Sequence, residues 1–316
     1  MPMYDKVKLW IDRYDMGEQY HTISNYLDEA KEQTDLDTGE VRTFGSLDGL
    51  KVSIYVGGVS VVGSLAKYLH GSNIFPLDRH TTAIAFEKMG DALHLKADGA
   101  KVVDVEFGTN FLMRHGVTAY LSKLGDMPYL SRCHFEPTTL YYRGAGKQHP
   151  KVFAFYDKMA DATAKGMKCP SDLMGANLLR YEMRLNGRLP QQLNVAEVRA
   201  STLYDKSFYK MMVKRYQEYY FSISKLNQVK TNVMSEIKTV SDAFNVLVAR
   251  LISQSDQSQI RDFLDELKEA GVFGDRKNYT RLKKKINEVA TKANITISDE
   301  LIKELDNEIR NCGAYV

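Results

Sequence analysis

In "KVFAFYDKMAD", residues 151–161, a tyrosine closes an alternating aromatic stretch and stands before an Asp-Lys pair. Successive side chains of an extended strand point to opposite faces, so Phe153 and Phe155 share one face while Val152, Ala154 and Tyr156 share the other. The phenylalanines can fill a core, which leaves the Tyr156 phenol on the side away from it. A phenol has an ordinary pKa of about 10 and is a poor nucleophile at neutral pH unless a neighbour favours the phenolate. Its particular use is a covalent link. Attack on a phosphodiester exchanges one ester for a phosphotyrosine of comparable energy, so a strand can be opened and resealed without ATP. The chain lacks the GxxxxGKS/T phosphate loop: in "YYRGAGKQ", Tyr141 stands where the first glycine belongs and Gln148 where the hydroxyl belongs.

Such an attack needs help with charge, and two further segments supply it. In "VVDVEFGTNF", Val103, Val105, Phe107 and Phe111 alternate with Asp104, Glu106, Gly108 and Asn110. In "NLLRYEMRLNGR", residues 177–188, Leu179, Tyr181, Met183 and Leu185 alternate with Arg180, Glu182 and Arg184. If these strands lie in one sheet with helices on the apolar side, the other face gathers carboxylates, guanidinium groups and the phenol. A divalent cation, Mg²⁺ or Mn²⁺, held by hard oxygen ligands would polarise the phosphoryl oxygens. Glu106 and Glu182 suit that role, with Asn110 or Asp104 as a third ligand. Lys158, expected two residues past the tyrosine on the same strand face, would stabilise the phenolate or the phosphate. Arg180 and Arg184 would grip neighbouring phosphates.

Each of these residues has a plainer reading. The chain holds 19 tyrosines, most of them fit for amphipathic strand or interface positions, and Tyr141 and Tyr142 in "TTLYYRG" are decoys for the nucleophile. Glu106 and Glu182 can instead form structural salt bridges with the strand arginines. His134 and Glu136 in "HFE" share a strand face and form a minority metal candidate, whereas His149 reads as a solvated loop histidine.

The elements that must position this chemistry follow from the patterning. Residues 4–11 place Val7, Leu9 and Ile11 on one face, and residues 50–56 do the same with Leu50, Val52, Ile54 and Val56, as half-buried antiparallel strands do. A helix is expected around 24–32, a strand entering a helix that stops near Gly71, and a further helix after Thr81. From about residue 189 the pattern turns helical, Ser298 reads as an N-cap, and a domain boundary falls near 225, giving units 1–225 and 226–316. The expected fold is α+β: an antiparallel sheet of about five strands flanked by helices, with a helical C-terminal region. A balance of 43 basic against 40 acidic residues gives +3, so any basic binding surface must be local. One such run is "DRKNYTRLKKK", where Arg281, Lys283, Lys284 and Lys285 read either as a solvated helix face or as phosphate contacts. Cys133, Cys169 and Cys312 form no CxxC pair, and no apolar run of about 18 residues or signal pattern occurs, which points to a cytoplasmic protein with reduced thiols.

"FAFYDK" followed by "LLRYEMRL" and preceded by "VEFGTNF" resembles the motif order of rolling-circle replication initiators of the filamentous-phage gene II/X type and of the related plasmid Rep-trans initiators. "VSVVGSLAKYLHGSNIF", residues 59–75, is similar to the strand-helix segment of the phage proteins through Ala66, Lys67, Leu69, Gly71, Asn73 and Phe75. The resemblance covers roughly residues 50–190. It implies a fold like that of the HUH nucleases, without their His-hydrophobe-His metal motif. It places the nucleophile on Tyr156, its lysine on Lys158, one acidic residue on Glu182 after Arg180, and the other on Glu106 with Asp104 as a competing register. Where the plasmid proteins carry a second acidic residue, this chain has Asn110. The implied activity is metal-dependent nicking and rejoining of DNA through a 5′-phosphotyrosine at a phage or plasmid origin. The implied partners are origin duplex, single-stranded DNA, and a host helicase and polymerase. A mobilisation relaxase or transposase with the same chemistry, and a non-cleaving origin-binding regulator, are the alternatives.

Overall fold

The computed structural model describes residues 1–135, 138–144, 149–167, 170–255, 257–292 and 295–314. Ten strands form one antiparallel sheet: β1 (Met3–Asp12), β2 (Asp28–Thr34), β3 (Val41–Leu47), β4 (Leu50–Tyr55), β5 (Gly58–Ser64), β6 (Lys101–Met113), β7 (Ser131–Phe135), β8 (Thr139–Arg143), β9 (Lys151–Asp157) and β10 (Asn177–Asn186). Their spatial order is β2-β3-β4-β5-β1-β6-β10-β9-β8-β7, which puts β1, β6, β10 and β9 side by side in the middle. The expected α+β class and antiparallel sheet are present. The expected five strands are not, because residues 28–47 and 131–143 also pair into hairpins. The expected helix at 24–32 is one short 3₁₀ turn, Ile23–Tyr26, followed by β2, whose side chains are all exposed. With no buried stripe, charge patterning there could not distinguish an edge hairpin from a helix.

The apolar face of the four central strands carries Tyr4, Val7, Leu9, Phe107, Phe111, Phe153, Phe155, Leu179, Tyr181 and Met183, all buried. The helix Lys206–Ser222, N-capped by Asp205, covers it with Phe208, Tyr209, Met212, Tyr216 and Tyr220. Phe155, Tyr181 and Tyr216 stack in a column with successive centroids 4.2 Å apart, and the hydroxyls of Tyr181 and Tyr216 each donate to the other's carbonyl, so neither buried phenol is orphaned. Burial on this scale rules out a slip of register, since a one-residue shift would turn the column to solvent.

The opposite face is not bare. Ser64 at the end of β5 caps the helix Leu65–His70, which stops at Gly71 in the left-handed conformation, and the chain then runs over the central strands through Asn73 and Ile74. A second short helix, Lys158–Ala164, leaves β9 directly, with Asp157 as its N-cap. Beyond residue 225, Val233, Val246, Ala249 and Ile295 form a small core of their own, while Ile302, Leu305 and Ile309 of the last helix, Glu300–Asn311, join the main core. That helix is capped by Asp299, one residue past the expected Ser298.

Candidate active site

Register brings the polar residues together. Tyr156 pairs with Arg180, which pairs with Asn110; Ala154 pairs with Glu182, which pairs with Gly108; Val152 pairs with Arg184, which pairs with Glu106. The row Tyr156-Arg180-Asn110 therefore lies beside the row containing Glu182, all on the face away from the aromatic column. Gly108 makes room for the glutamate: a Cβ there would come within 2.4 Å of the Tyr181 carbonyl oxygen and 3.0 Å of Glu182 Cγ.

The Tyr156 hydroxyl donates to Glu182 Oε1 at 2.9 Å. Arg180 Nε donates to the same oxygen, and Arg184 donates to Glu182 Oε2 through Nη2 at 2.6 Å and Nε at 3.0 Å. Burial alone would raise the Glu182 pKa, but the two guanidinium groups outweigh it and hold the carboxyl down at about 2. Burial, and after it the Glu182 charge, push the Tyr156 phenol far above its ordinary value. Glu106 is raised, mainly by burial, with Arg184 opposing; its carboxylate stands 3.8 Å from Arg184 and 4.0 Å from Lys6. Tyr156, Glu182, Arg184, Glu106 and Lys6 line a cleft of about 290 Å³ that also receives Lys67, Lys158 and Lys165.

Four expected placements change. Lys158 is not on the strand: it opens the helix after β9, buried beside Asp161 at 3.6 Å, and still lines the cleft with its pKa lowered, chiefly by burial and then by Arg180. Arg180 is not available to a phosphate. It is fully buried, and its N–H groups go to Glu182, Asp5, Asn110 Oδ1 and the Asn73 carbonyl. Asn110, held between Arg180 and the Ile74 carbonyl, has its amide spent on the protein. Asp104 accepts from the Gly187 amide at 2.7 Å at the far end of the strand and does not line the cleft. Arg184 remains part-exposed at the cleft. Arg281, Lys283, Lys284 and Lys285 sit exposed on the helix Arg276–Ala290, Lys283 bonded to Asp126 at 3.0 Å and Lys284 3.7 Å from Glu288. Glu136, and with it the His134–Glu136 pair, lies outside the described residues.

Asp5 and Asn73 were not foreseen as site residues. Between Tyr4 and Val7, β1 holds two residues opposite Glu106 alone, a bulge that turns both Asp5 and Lys6 toward the polar side. The signal was present in "MYDKVKLW": Tyr4 and Val7 are three apart where alternation demands two or four. Asp5 accepts from Arg180 Nη2 at 2.6 Å, from Asn73 Nδ2 at 2.7 Å and from Ser64 Oγ.

This donor set does not fit a resident divalent ion. Glu182 already accepts four hydrogen bonds, about as many as a carboxylate has lone-pair sites. Asn110 is spent and Asp104 is remote, so of the four expected ligands only Glu106 keeps a carboxylate without a close hydrogen-bonded partner among the described residues. Among the described residues no group of three or more His, Cys, Asp or Glu stands where it could hold a metal.

The chain matches no curated protein. A family model described as the N-terminal part of the replication-associated protein G2P matches residues 3–206, a span that holds all ten strands and every residue lining the cleft. The chain belongs to this family of phage replication-associated proteins, the filamentous-phage gene II family.

Proposed function

We propose that the protein initiates rolling-circle replication by nicking one DNA strand with Tyr156 and rejoining it later. The observation that carries this reading is the phenol itself. It lies on the polar face of β9, third strand from one edge of the sheet, held by a hydrogen bond to a carboxylate, in a cleft that also receives Lys6, Lys67, Lys158 and Lys165. In the step proposed, the Tyr156 oxygen bonds to phosphorus and the P–O3′ bond breaks. The products are a 5′-phosphotyrosyl chain and a strand whose 3′-oxygen takes up a proton. Glu182, held near pKa 2, is too weak a base to keep the phenolic proton and instead aims the hydroxyl. Glu106, raised by burial in the same cleft, is the carboxylate suited to receive it, and the buried Lys158 ammonium is suited to protonate the leaving oxygen. Lys6, Lys67, Lys165 and Arg184 supply the positive charge that a phosphate entering the cleft requires.

Whether Mg²⁺ or Mn²⁺ is required is left to measurement; no step above depends on it. The freed 3′-hydroxyl would prime a host polymerase behind a host helicase, and rejoining would reverse the exchange. The near-complete burial of the phenol, 8% exposed, favours a non-cleaving origin-binding regulator as the second reading. Mass spectrometry of the chain after incubation with an origin oligonucleotide and Mg²⁺ decides between them. An adduct on the peptide containing Tyr156 is expected; binding without any adduct leaves the regulator, and an adduct on another tyrosine removes Tyr156.

A further inference from the structure

Behind Tyr156 the charged side chains stand in a row. Asp5 Oδ2 accepts from Arg180 Nη2 at 2.6 Å, Arg180 Nε donates to Glu182 Oε1 at 2.5 Å, and the same oxygen accepts from the phenol at 2.9 Å. Asp5, Arg180 and Glu182 are each at most 3% exposed, so the row lies in a low-dielectric interior where a lost partner is not replaced by water. Its far end is fixed. Asp5 is turned inward by the β1 bulge and held by Ser64 Oγ and by Asn73 Nδ2, while the Asn73 carbonyl also receives Arg180 Nη1. Its near end has no spare acceptor, since the four hydrogen bonds of Glu182 come from two arginines and the phenol.

We infer that Asp5 is a positioning residue of the reaction proposed above: the row Asp5–Arg180–Glu182 is an ionic bracket that fixes the direction of the Tyr156 hydroxyl, and Glu182 serves it as an orienting anion rather than as a ligand to a metal ion. The inference rests on Tyr156 being the nucleophile. A cation could reach Glu182 only by displacing a guanidinium group, and displacing Arg180 would strand Asp5 without its buried counter-charge. The bracket also explains why a nucleophile should sit beside an anion that opposes its ionisation. The glutamate gives direction, and the lysines of the cleft, joined by the incoming phosphorus, must supply the driving force.

The test uses the full chain, with Asp5→Asn and Glu182→Gln compared with the parent. Two things are measured: single-turnover adduct formation on an origin oligonucleotide across a Mn²⁺ titration, and the ¹³Cζ resonance of Tyr156, assigned with Tyr156→Phe. Both variants should slow adduct formation at saturating DNA by about 10- to 100-fold, as the loss of an orienting partner does. The DNA and Mn²⁺ concentrations for half-maximal rate should stay put, and the Tyr156 resonance should move. A Mn²⁺ half-saturation raised about tenfold or more in Glu182→Gln would make Glu182 a ligand and overturn the bracket. A parental rate and an unmoved resonance in Asp5→Asn would overturn it too. Should Asp5→Asn not fold, Asn73→Ala, which frees Asp5 at one side only, must slow the adduct and shift the same resonance, or the inference fails. If the parent protein forms no adduct at Tyr156, the proposed function fails, and the resonance alone then decides whether Asp5 sets the phenol.

Discussion

Two groups of cations in this molecule answer the same description in sequence and have opposite fates in space. Arg180 lies under the cleft without any exposure, bonded to Asp5 and Glu182, and Arg184 lies at the cleft wall, part-exposed and bonded to Glu182. Arg281, Lys283, Lys284 and Lys285 lie on the surface of the helix Arg276–Ala290, with Lys283 and Lys284 in surface ion pairs. A buried guanidinium that has spent its donors on carboxylates is structure, whereas an exposed ammonium in a surface pair can exchange that partner for a phosphate at little cost. The difference is one of desolvation. It explains why the arginines adjacent to the nucleophile are not the ones to expect on DNA, apart from the part-exposed Arg184.

Experiments can strain this contrast from both sides. The largest effect is expected at the nucleophile itself: Tyr156→Phe should remove the adduct, lowering its rate on the order of 10⁴-fold or more, while DNA binding, read by fluorescence anisotropy, persists. A residual adduct at the parental rate would move the chemistry elsewhere. Next, Arg180→Met should cost about 3–5 kcal/mol in urea unfolding, because it leaves Asp5 and Glu182 as buried charges without their shared partner. A cost below about 1 kcal/mol would mean that the row is wetter than its burial implies.

The two glutamates should then part company. Glu182 has a depressed pKa, so its stabilising contribution is complete above the carboxylate range of the unfolded chain and is lost as pH falls through about 2. Glu106 is raised, so its charged form opposes folding at neutral pH. Glu182→Gln should therefore lower the melting temperature at pH 7, and Glu106→Gln should leave it unchanged or raise it. Equal losses would show that both carboxylates are held alike. The smallest effect belongs to the exposed helix. Lys284→Gln with Lys285→Gln should change stability by less than about 0.5 kcal/mol. If that face meets DNA, the pair should also flatten the salt dependence of binding by about one unit of slope per lost phosphate contact. A salt dependence identical to the parent would return the helix to the plain reading of a solvated face.

How much of this was legible depends on what a pattern can encode. The alternation in "KVFAFYDK" and "NLLRYEMRL" was enough to separate Phe153 and Phe155 from Tyr156, and Tyr181 from Arg180 and Glu182, because side-chain direction in a strand follows from backbone geometry alone. The α+β class and the antiparallel pairing followed in the same way. Asp5 escaped because a bulge breaks that periodicity, and only the partner strand shows where the extra residue goes. Lys158 was misplaced by one element: nothing in the strand pattern says that Asp157 will cap a helix and turn the chain.

The sequence by itself determined which side chains share a face, and with it the presence of a phenol among carboxylates and guanidinium groups on the polar side of a sheet. Only the tertiary structure decided who is bonded to whom. Strand order set β10 between β6 and β9, and the segment after β5 closed over Asp5 and Arg180, so that the Asp5 carboxylate and the Asn73 carbonyl that hold Arg180 came from chain positions 175 and 107 residues away. Whether a charge is free or consumed depends on solvent exclusion and on the nearest opposite charge, and both are properties of packing that no local pattern contains.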